Sequence, residues 1–141
     1  MDCVVAYDRQ IVNQLREQGL DHAVSYYTQP VWAGTDFNHF TFDKHYRQVH
    51  CSGTLAVEVA LYLGYRSLHI IGADWHLTND SIQQSHYEFR GHKPHKNADR
   101  KRQWLTHIQT RCEIQWIHPE RAAWMLNYSS PKNFLACLNV A

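Results

Sequence analysis

The sequence predicts a small α/β domain with a mainly parallel sheet of about four to five strands. Three observations lead to this prediction. The chain opens on a strand–helix–strand order, its middle holds an apolar helix followed by a short apolar strand, and its 141 residues suit one domain. Helices between strands favour parallel pairing, because each helix carries the chain back to the same end of the sheet. We therefore predict a single domain over residues 1–141.

The first third of the chain predicts two strands joined by a helix. The apolar run 3–6 is typical of a short strand, and apolar residues at helical spacing between 11 and 20 predict a helix. Residues 22–27 predict the second strand. The long connection 28–49 is rich in aromatic side chains, so we expect either a binding loop or a hydrophobic cover over a sheet edge.

The middle of the chain carries the strongest fold signal. We predict that Ser52 caps a largely apolar helix and that Gly64 ends it in a left-handed conformation. The apolar run 68–71 predicts a buried parallel strand, with Asp74 just beyond its carboxyl end. Open α/β sheets bind ligands at that edge, and the helix start at Ser52-Gly53 offers N–H groups to an anion. Alternatively, Ser52 is only a cap and Asp74 only a turn residue.

The last third of the chain predicts one long helix and further strands. A polar loop over 76–96 precedes a helix with an apolar stripe that ends near Cys112. Residues 113–117 alternate and predict a strand. We place a last strand at 124–127 and expect the apolar tail 134–140 to pack on the sheet.

The amino-acid composition argues against several classes of protein. Fourteen Lys and Arg against thirteen Asp and Glu give a formal charge of +1, which offers no electrostatic case for a nucleic-acid or membrane partner. No apolar run approaches the ~18 residues of a membrane span, and no secretory signal is apparent. The four cysteines form no C-x-x-C pair. We therefore expect a cytoplasmic protein with free thiols and predict no cofactor.

Two segments resemble a Rossmann-like group that includes the bacterial sialyltransferases using CMP-sialic acid, and related bacterial and phage domains of unknown role. Residues 52–74, SGTLAVEVALYLGYRSLHIIGAD, are similar to its S-G…A…A-x-x-L-G-(Y/A)…I-x-(L/I)-x-G-x-D signature. The pieces Ser85-His86-Tyr87, Gly91-His92 and Lys96-Asn97 resemble its S-H-Y-x-G-H-S-K-N run. Residues 127–138, NYSSPKNFLACL, resemble the tail of the non-transferase relatives. The resemblance implies a Rossmann-like three-layer domain.

The resemblance also implies a set of site residues. Ser52 and Gly53 would hold the nucleotide-sugar donor near the helix start, and Asp74 would shape the site at the strand end. Tyr87 would contact the donor phosphate. His92 would be the catalytic general base on the acceptor hydroxyl, a role that suits a histidine of near-neutral pKa. The implied function is nucleotide-sugar binding and glycosyl transfer with a CMP-type donor.

The chain departs from the family pattern in three places. It begins roughly where the family's second strand would fall, so we expect it to lack the first strand and the nucleotide-gripping loop. His76 stands where the family has an aromatic residue, and 93–95 form an insertion after Gly91-His92. These departures imply a degenerate transferase-like domain, or one that another chain completes.

Two other classes of function remain open. A Rossmann-like domain without its nucleotide loop could be a non-catalytic interaction or assembly module, in which dimerisation covers the exposed sheet edge. The histidines His86, His92 and His95, with His76 or Asp74, could instead hold a metal, although their spacing matches no zinc pattern. The nucleophile-elbow pattern of serine hydrolases and the glycine-rich phosphate loops are absent from the sequence.

Overall fold

The computed structural model describes residues 2–49, 51–73 and 98–139. These residues form four α-helices and six β-strands, so the predicted α/β class is confirmed. The chain divides into two compact units, Met1–Tyr65 and Arg66–Ala141. Each unit contains a three-stranded sheet in which every pairing is parallel.

The first unit alternates strands and helices. Its elements are β1 (Asp2–Val5), α1 (Arg9–Gln18), β2 (Val24–Thr28), a 3-10 turn (Pro30–Trp32), β3 (Asn38–His39), a second 3-10 helix (Lys44–Val49) and α2 (Ser52–Tyr62). The sheet order is β1-β2-β3. Helix α1 buries Val12 against Ala6, Ala33 and Phe37, which form the small core on that face. The buried position of Val12 agrees with the helical spacing of the sequence.

Helix α2 begins one residue earlier than the sequence suggests. Ser52 is its first helical residue and not its cap, because Cys51 has the extended backbone and its N–H donates to Thr54 Oγ1 at 2.8 Å. The end of the helix confirms the prediction for Gly64. Gly64 has φ +98°, and the N–H of Tyr65 reaches the Ala60 carbonyl at 3.1 Å, a bond typical of a left-handed helix end.

The second unit has the same alternation. Its elements are β4 (Ser67–Ile71), α3 (Ala98–Arg111), β5 (Glu113–Ile117), β6 (Tyr128–Ser129) and α4 (Pro131–Leu138), with sheet order β4-β5-β6. The predicted stripe of α3 is buried, since Trp104, Leu105 and Ile108 are each at most 1% exposed. Gln109 ties α3 to the loop before β6: it accepts from Trp116 Nε1 at 2.8 Å and donates to the Trp124 carbonyl at 2.8 Å.

The predicted single sheet of about four to five strands is wrong for the described residues, which form two sheets of three strands each. The number of strands exceeds the prediction because two of the six strands are very short. β3 falls inside the connection 28–49, and it pairs with β2 over only two residues. β6 lies at Tyr128–Ser129 and not at 124–127, and it pairs with β5 over two residues. A two-residue strand is too short for an alternating pattern to show in the sequence.

The apolar surface of strand β4 and helix α4 also differs from expectation. Ile71 is 69% exposed, so β4 is not the fully buried strand that its composition predicts. In α4, the ring of Phe134 packs on His69 of β4 at 5.6 Å between centroids, which confirms contact of the tail with the sheet. Leu135 and Leu138 of the same helix are more than half exposed.

Candidate functional site

Three residues, one after the end of each strand, lie together at the carboxyl edge of the β1-β2-β3 sheet. Tyr7 follows β1 by two residues, Gln29 follows β2 directly, and Thr41 follows β3 by two residues. Because all three strands are parallel, these positions lie at one edge of the sheet. All three residues line a common cavity there.

The backbone of Tyr7 is fixed from both sides. Its N–H donates to Ser52 Oγ at 2.9 Å, which brings the start of α2 to the end of β1. Its carbonyl accepts from Gln29 Nε2 at 2.8 Å, which links the ends of β1 and β2. The Ser52 hydroxyl accepts in this arrangement, so its own proton can still be donated to a ligand. The site is therefore held in place before any ligand arrives.

The cavity has a volume of about 270 Å³ and is mainly apolar, with one cation at its rim. The ring of Phe42 lies 6.1 Å from that of Tyr7 and 5.8 Å from that of Phe40, measured between centroids. Lys44 is exposed, and its ammonium has no hydrogen-bond or ion-pair partner among the described residues. The full lining is Tyr7, Gln29, Pro30, Val31, Thr41, Phe42 and Lys44.

This lining can recognise a flat ring that carries a negative charge. Aromatic side chains such as Tyr7 and Phe42 bury a planar group, and Gln29 supplies an amide that can select its orientation. Lys44 is a flexible cation suited to a phosphate or carboxylate. The start of α2, which the Ser52 hydroxyl joins to Tyr7, lies next to this lining, and a helix start favours an anion.

Arg16 fastens the loop after β2 to helix α1. Its Nε and Nη2 each donate to the Asp36 carboxylate at 2.7 Å, and Nη2 also reaches the carbonyls of Trp32 and Ala33. The hydrogen bond from Arg16 holds the pKa of Asp36 below its ordinary value. Gly34 has φ +58°, and a Cβ there would lie 3.0 Å from Arg16 Nη2, so both the backbone conformation and the close approach of Arg16 favour glycine at this position.

A further polar atom is buried at the same edge. Thr28 ends β2 and is 0% exposed, and its Oγ1 has no hydrogen-bond partner among the residues that the structure describes. A buried hydroxyl without a partner costs roughly 1–3 kcal/mol. Without a described partner, the Thr28 hydroxyl therefore destabilises the end of β2, directly before the cavity residue Gln29.

The structure describes two of the five residues that the resemblance assigns to the site. Ser52 and Gly53 stand at the start of α2, beside the cavity residue Tyr7. Asp74, Tyr87 and His92 lie outside the described residues. The predicted donor contacts at Ser52 and Gly53 and the catalytic role of His92 stay predictions.

The histidines considered for a metal also fall outside the described ranges. They are His76, His86, His92 and His95. Within residues 2–49, 51–73 and 98–139, no group of three or more His, Cys, Asp or Glu side chains is placed to hold a metal ion. Across the same ranges, every helix is too short or too polar to cross a membrane.

Sequence reasoning missed the cavity residues Tyr7, Gln29 and Lys44. A signal for the first two was present, since each comes one or two residues after a predicted strand, where parallel sheets place their ligand contacts. No comparable signal marks Lys44, because the connection 28–49 has no regular pattern.

Comparisons with known proteins assign the chain to no family: no protein-family model, no curated protein and no solved structure matches it. The case for a function therefore depends on the residues and their arrangement.

Proposed function

We propose that the protein binds a nucleotide-sugar of the CMP type and is a sialyltransferase-like domain of Rossmann-like ancestry. The observation that carries the proposal is the cavity at the carboxyl edge of β1-β2-β3, next to the start of α2. Ligands of open α/β sheets bind at this edge, and helix N-termini at it favour phosphate groups. The resemblance of residues 52–74 to the sialyltransferase signature suggests the class of ligand, a CMP-type nucleotide-sugar.

Different residues at the cavity would bind the base and the phosphate of the donor. The base would pack against the pair of rings formed by Tyr7 and Phe42, whose centroids lie 6.1 Å apart. Ser52, Gly53 and Lys44 would face the phosphate. About 270 Å³ is near the lower end of small-molecule pockets, which run from roughly 300 Å³ upward, so the cavity suits one part of such a donor. The fixed backbone of Tyr7 favours binding, because little order has to be created on association.

For the transfer step we propose the role that the resemblance gives to His92, which lies outside the described residues. Its neutral imidazole would take the proton of an acceptor hydroxyl as the oxygen bonds to the sugar carbon. The bond from that carbon to the nucleotide phosphate would break, and CMP would leave with the bonding electrons. Replacement of His92 with alanine should abolish transfer and leave donor binding intact.

Calorimetric titration tests the binding proposal. We expect CMP and CMP-sialic acid to bind, and Phe42→Ala to weaken binding by roughly fivefold to a hundredfold, since base–aromatic stacking contributes about 1–3 kcal/mol. Phe134→Ala is the matched control, because Phe134 is also half-buried in a ring contact but belongs to the second unit. Absence of heat and of thermal stabilisation with CMP, CDP and UDP sugars would reject the proposal.

A second candidate function, a non-catalytic interaction module, has one observation in its favour. Leu135 and Leu138 are 58% and 59% exposed and lie three residues apart on one face of α4. Exposed apolar side chains on one helix face are common at protein–protein contacts. Light scattering of the wild type and of Leu135→Lys distinguishes the two candidates: an oligomer that Leu135→Lys dissociates, without nucleotide binding, would favour the interaction module.

A further inference from the structure

A second concave surface in the first unit carries unused hydrogen-bond donors. Arg9, Asn13 and Arg16 follow one another at spacings of four and three residues, so they share one face of α1. This face borders a shallow groove of about 460 Å³. We call it the arginine groove, and its lining consists of Arg9, Asn13, Arg16, Val31, Trp32 and Gly34.

The donors of the arginine groove are free to bind a ligand. The Arg9 guanidinium lies over the Trp32 ring at 5.6 Å and makes no hydrogen bond or ion pair with another described residue. The Asn13 amide likewise bonds to no described side chain or backbone group. Arg16 uses Nε and Nη2 for Asp36 and for two carbonyls, and its Nη1 remains available. Five N–H groups on each guanidinium make these residues well suited to oxyanions.

The charge of the groove favours an anion. Arg9 and Arg16 contribute two positive charges, and Asp36, which is bonded to Arg16, removes one, so the balance is +1. No acidic side chain belongs to the lining itself. Two carboxylates adjoin these arginines in sequence, Asp8 and Glu17, and neither is among the lining residues. The Trp32 ring restricts Arg9 to one side, which reduces the entropy lost when its donors bind a ligand.

We propose that the arginine groove is a binding subsite for the carboxylate or phosphate group of a small-molecule ligand. Arg9 and Arg16 Nη1 would donate to the anion, and Asn13 would add an amide donor. Val31 lines both this groove and the cavity that contains Tyr7 and Phe42, so the two sites are neighbours in the first unit. The subsite proposal stands independently of nucleotide binding in that cavity.

The test is an NMR titration with inorganic phosphate and, separately, with sodium acetate. Sodium chloride keeps the ionic strength constant, because screening alone shifts exposed charges. We expect saturable shifts of the Arg9 side-chain Nε–H and the Asn13 side-chain amide. The anion that saturates these shifts at the lower concentration identifies the preferred ligand: phosphate indicates a phosphate group, and acetate indicates a carboxylate.

Three variants decide the outcome. Arg9→Gln should raise the dissociation constant of the preferred anion by roughly threefold or more, as expected for a partly exposed charged hydrogen bond. Asn13→Ala should weaken binding less. Lys132→Gln removes one positive charge near the start of α4 in the second unit and should change nothing. Linear, non-saturating shifts, or equal effects of Arg9→Gln and Lys132→Gln in variants that remain folded, would overturn the proposal.

Discussion

The hydrogen bond from the Tyr7 N–H to Ser52 Oγ predicts the effect of Ser52→Ala. The bond is 2.9 Å long, partly buried, and joins residues 45 positions apart. Alanine removes the acceptor and leaves the helix start otherwise unchanged. Net hydrogen-bond contributions of about 1 kcal/mol correspond to a Tm roughly 3–5 °C lower for a chain of this size.

Hydrogen exchange measures this bond directly. The Tyr7 amide should exchange about fivefold faster in Ser52→Ala, since 1 kcal/mol is close to a factor of five in an equilibrium constant. Ser52→Thr keeps the hydroxyl and should keep the protection. Ser129→Ala is the control, because the Ser129 hydroxyl bonds to the Ser130 carbonyl and does not touch Tyr7.

Equal Tyr7 exchange rates in the wild type and in Ser52→Ala would refute the reasoning. Such a result would mean that the start of α2 is not fastened to the end of β1 through this hydroxyl. An altered nucleotide affinity in Ser52→Ala with unaltered Tyr7 exchange would assign Ser52 a ligand role alone.

Three further predictions concern stability. Gln109→Leu should lower the free energy of unfolding in urea by roughly 2–4 kcal/mol, because Trp116 Nε1 and the neighbouring backbone groups lose their amide partner. Thr28→Val should raise Tm by a few degrees, since it removes a buried hydroxyl that has no described partner; a lower Tm would show that the hydroxyl is satisfied. Asp36→Asn should lower Tm at pH 7. Because Arg16 holds the pKa of Asp36 below its ordinary 3.8, this Tm difference should be constant well above pH 3.8, begin to shrink near pH 3.8 and disappear only as the pH falls through the lowered pKa.

Much of the fold is predictable from the sequence because its main elements carry strong periodic patterns. The buried stripe of α3 around Trp104 and Ile108, the alternation of β5 and the glycine end of α2 at Gly64 each have a local physical cause. The division into two sheets is not predictable in this way. Which strands pair is set by contacts between residues remote in sequence, and the two-residue pairings of β3 and β6 leave no pattern in the sequence.

The candidate site is predictable only in part. Position alone points to the edge, since Tyr7 and Gln29 come within two residues of the ends of strands β1 and β2. The double attachment of the Tyr7 backbone depends on Ser52, which is remote in sequence, and no local pattern reveals such a contact. Likewise, Arg16 looks like an ordinary surface charge of an amphipathic helix until its bonds to Asp36 are seen.

The most direct test of a nucleotide-sugar site at the carboxyl edge of β1-β2-β3 is a titration of the labelled protein with CMP-sialic acid, followed through backbone amide shifts. We predict saturable shifts at Tyr7, Gln29 and Phe42 and at the start of α2 in Ser52 and Gly53. An unchanged spectrum at saturating ligand, or shifts confined to residues of the second unit, would contradict the account.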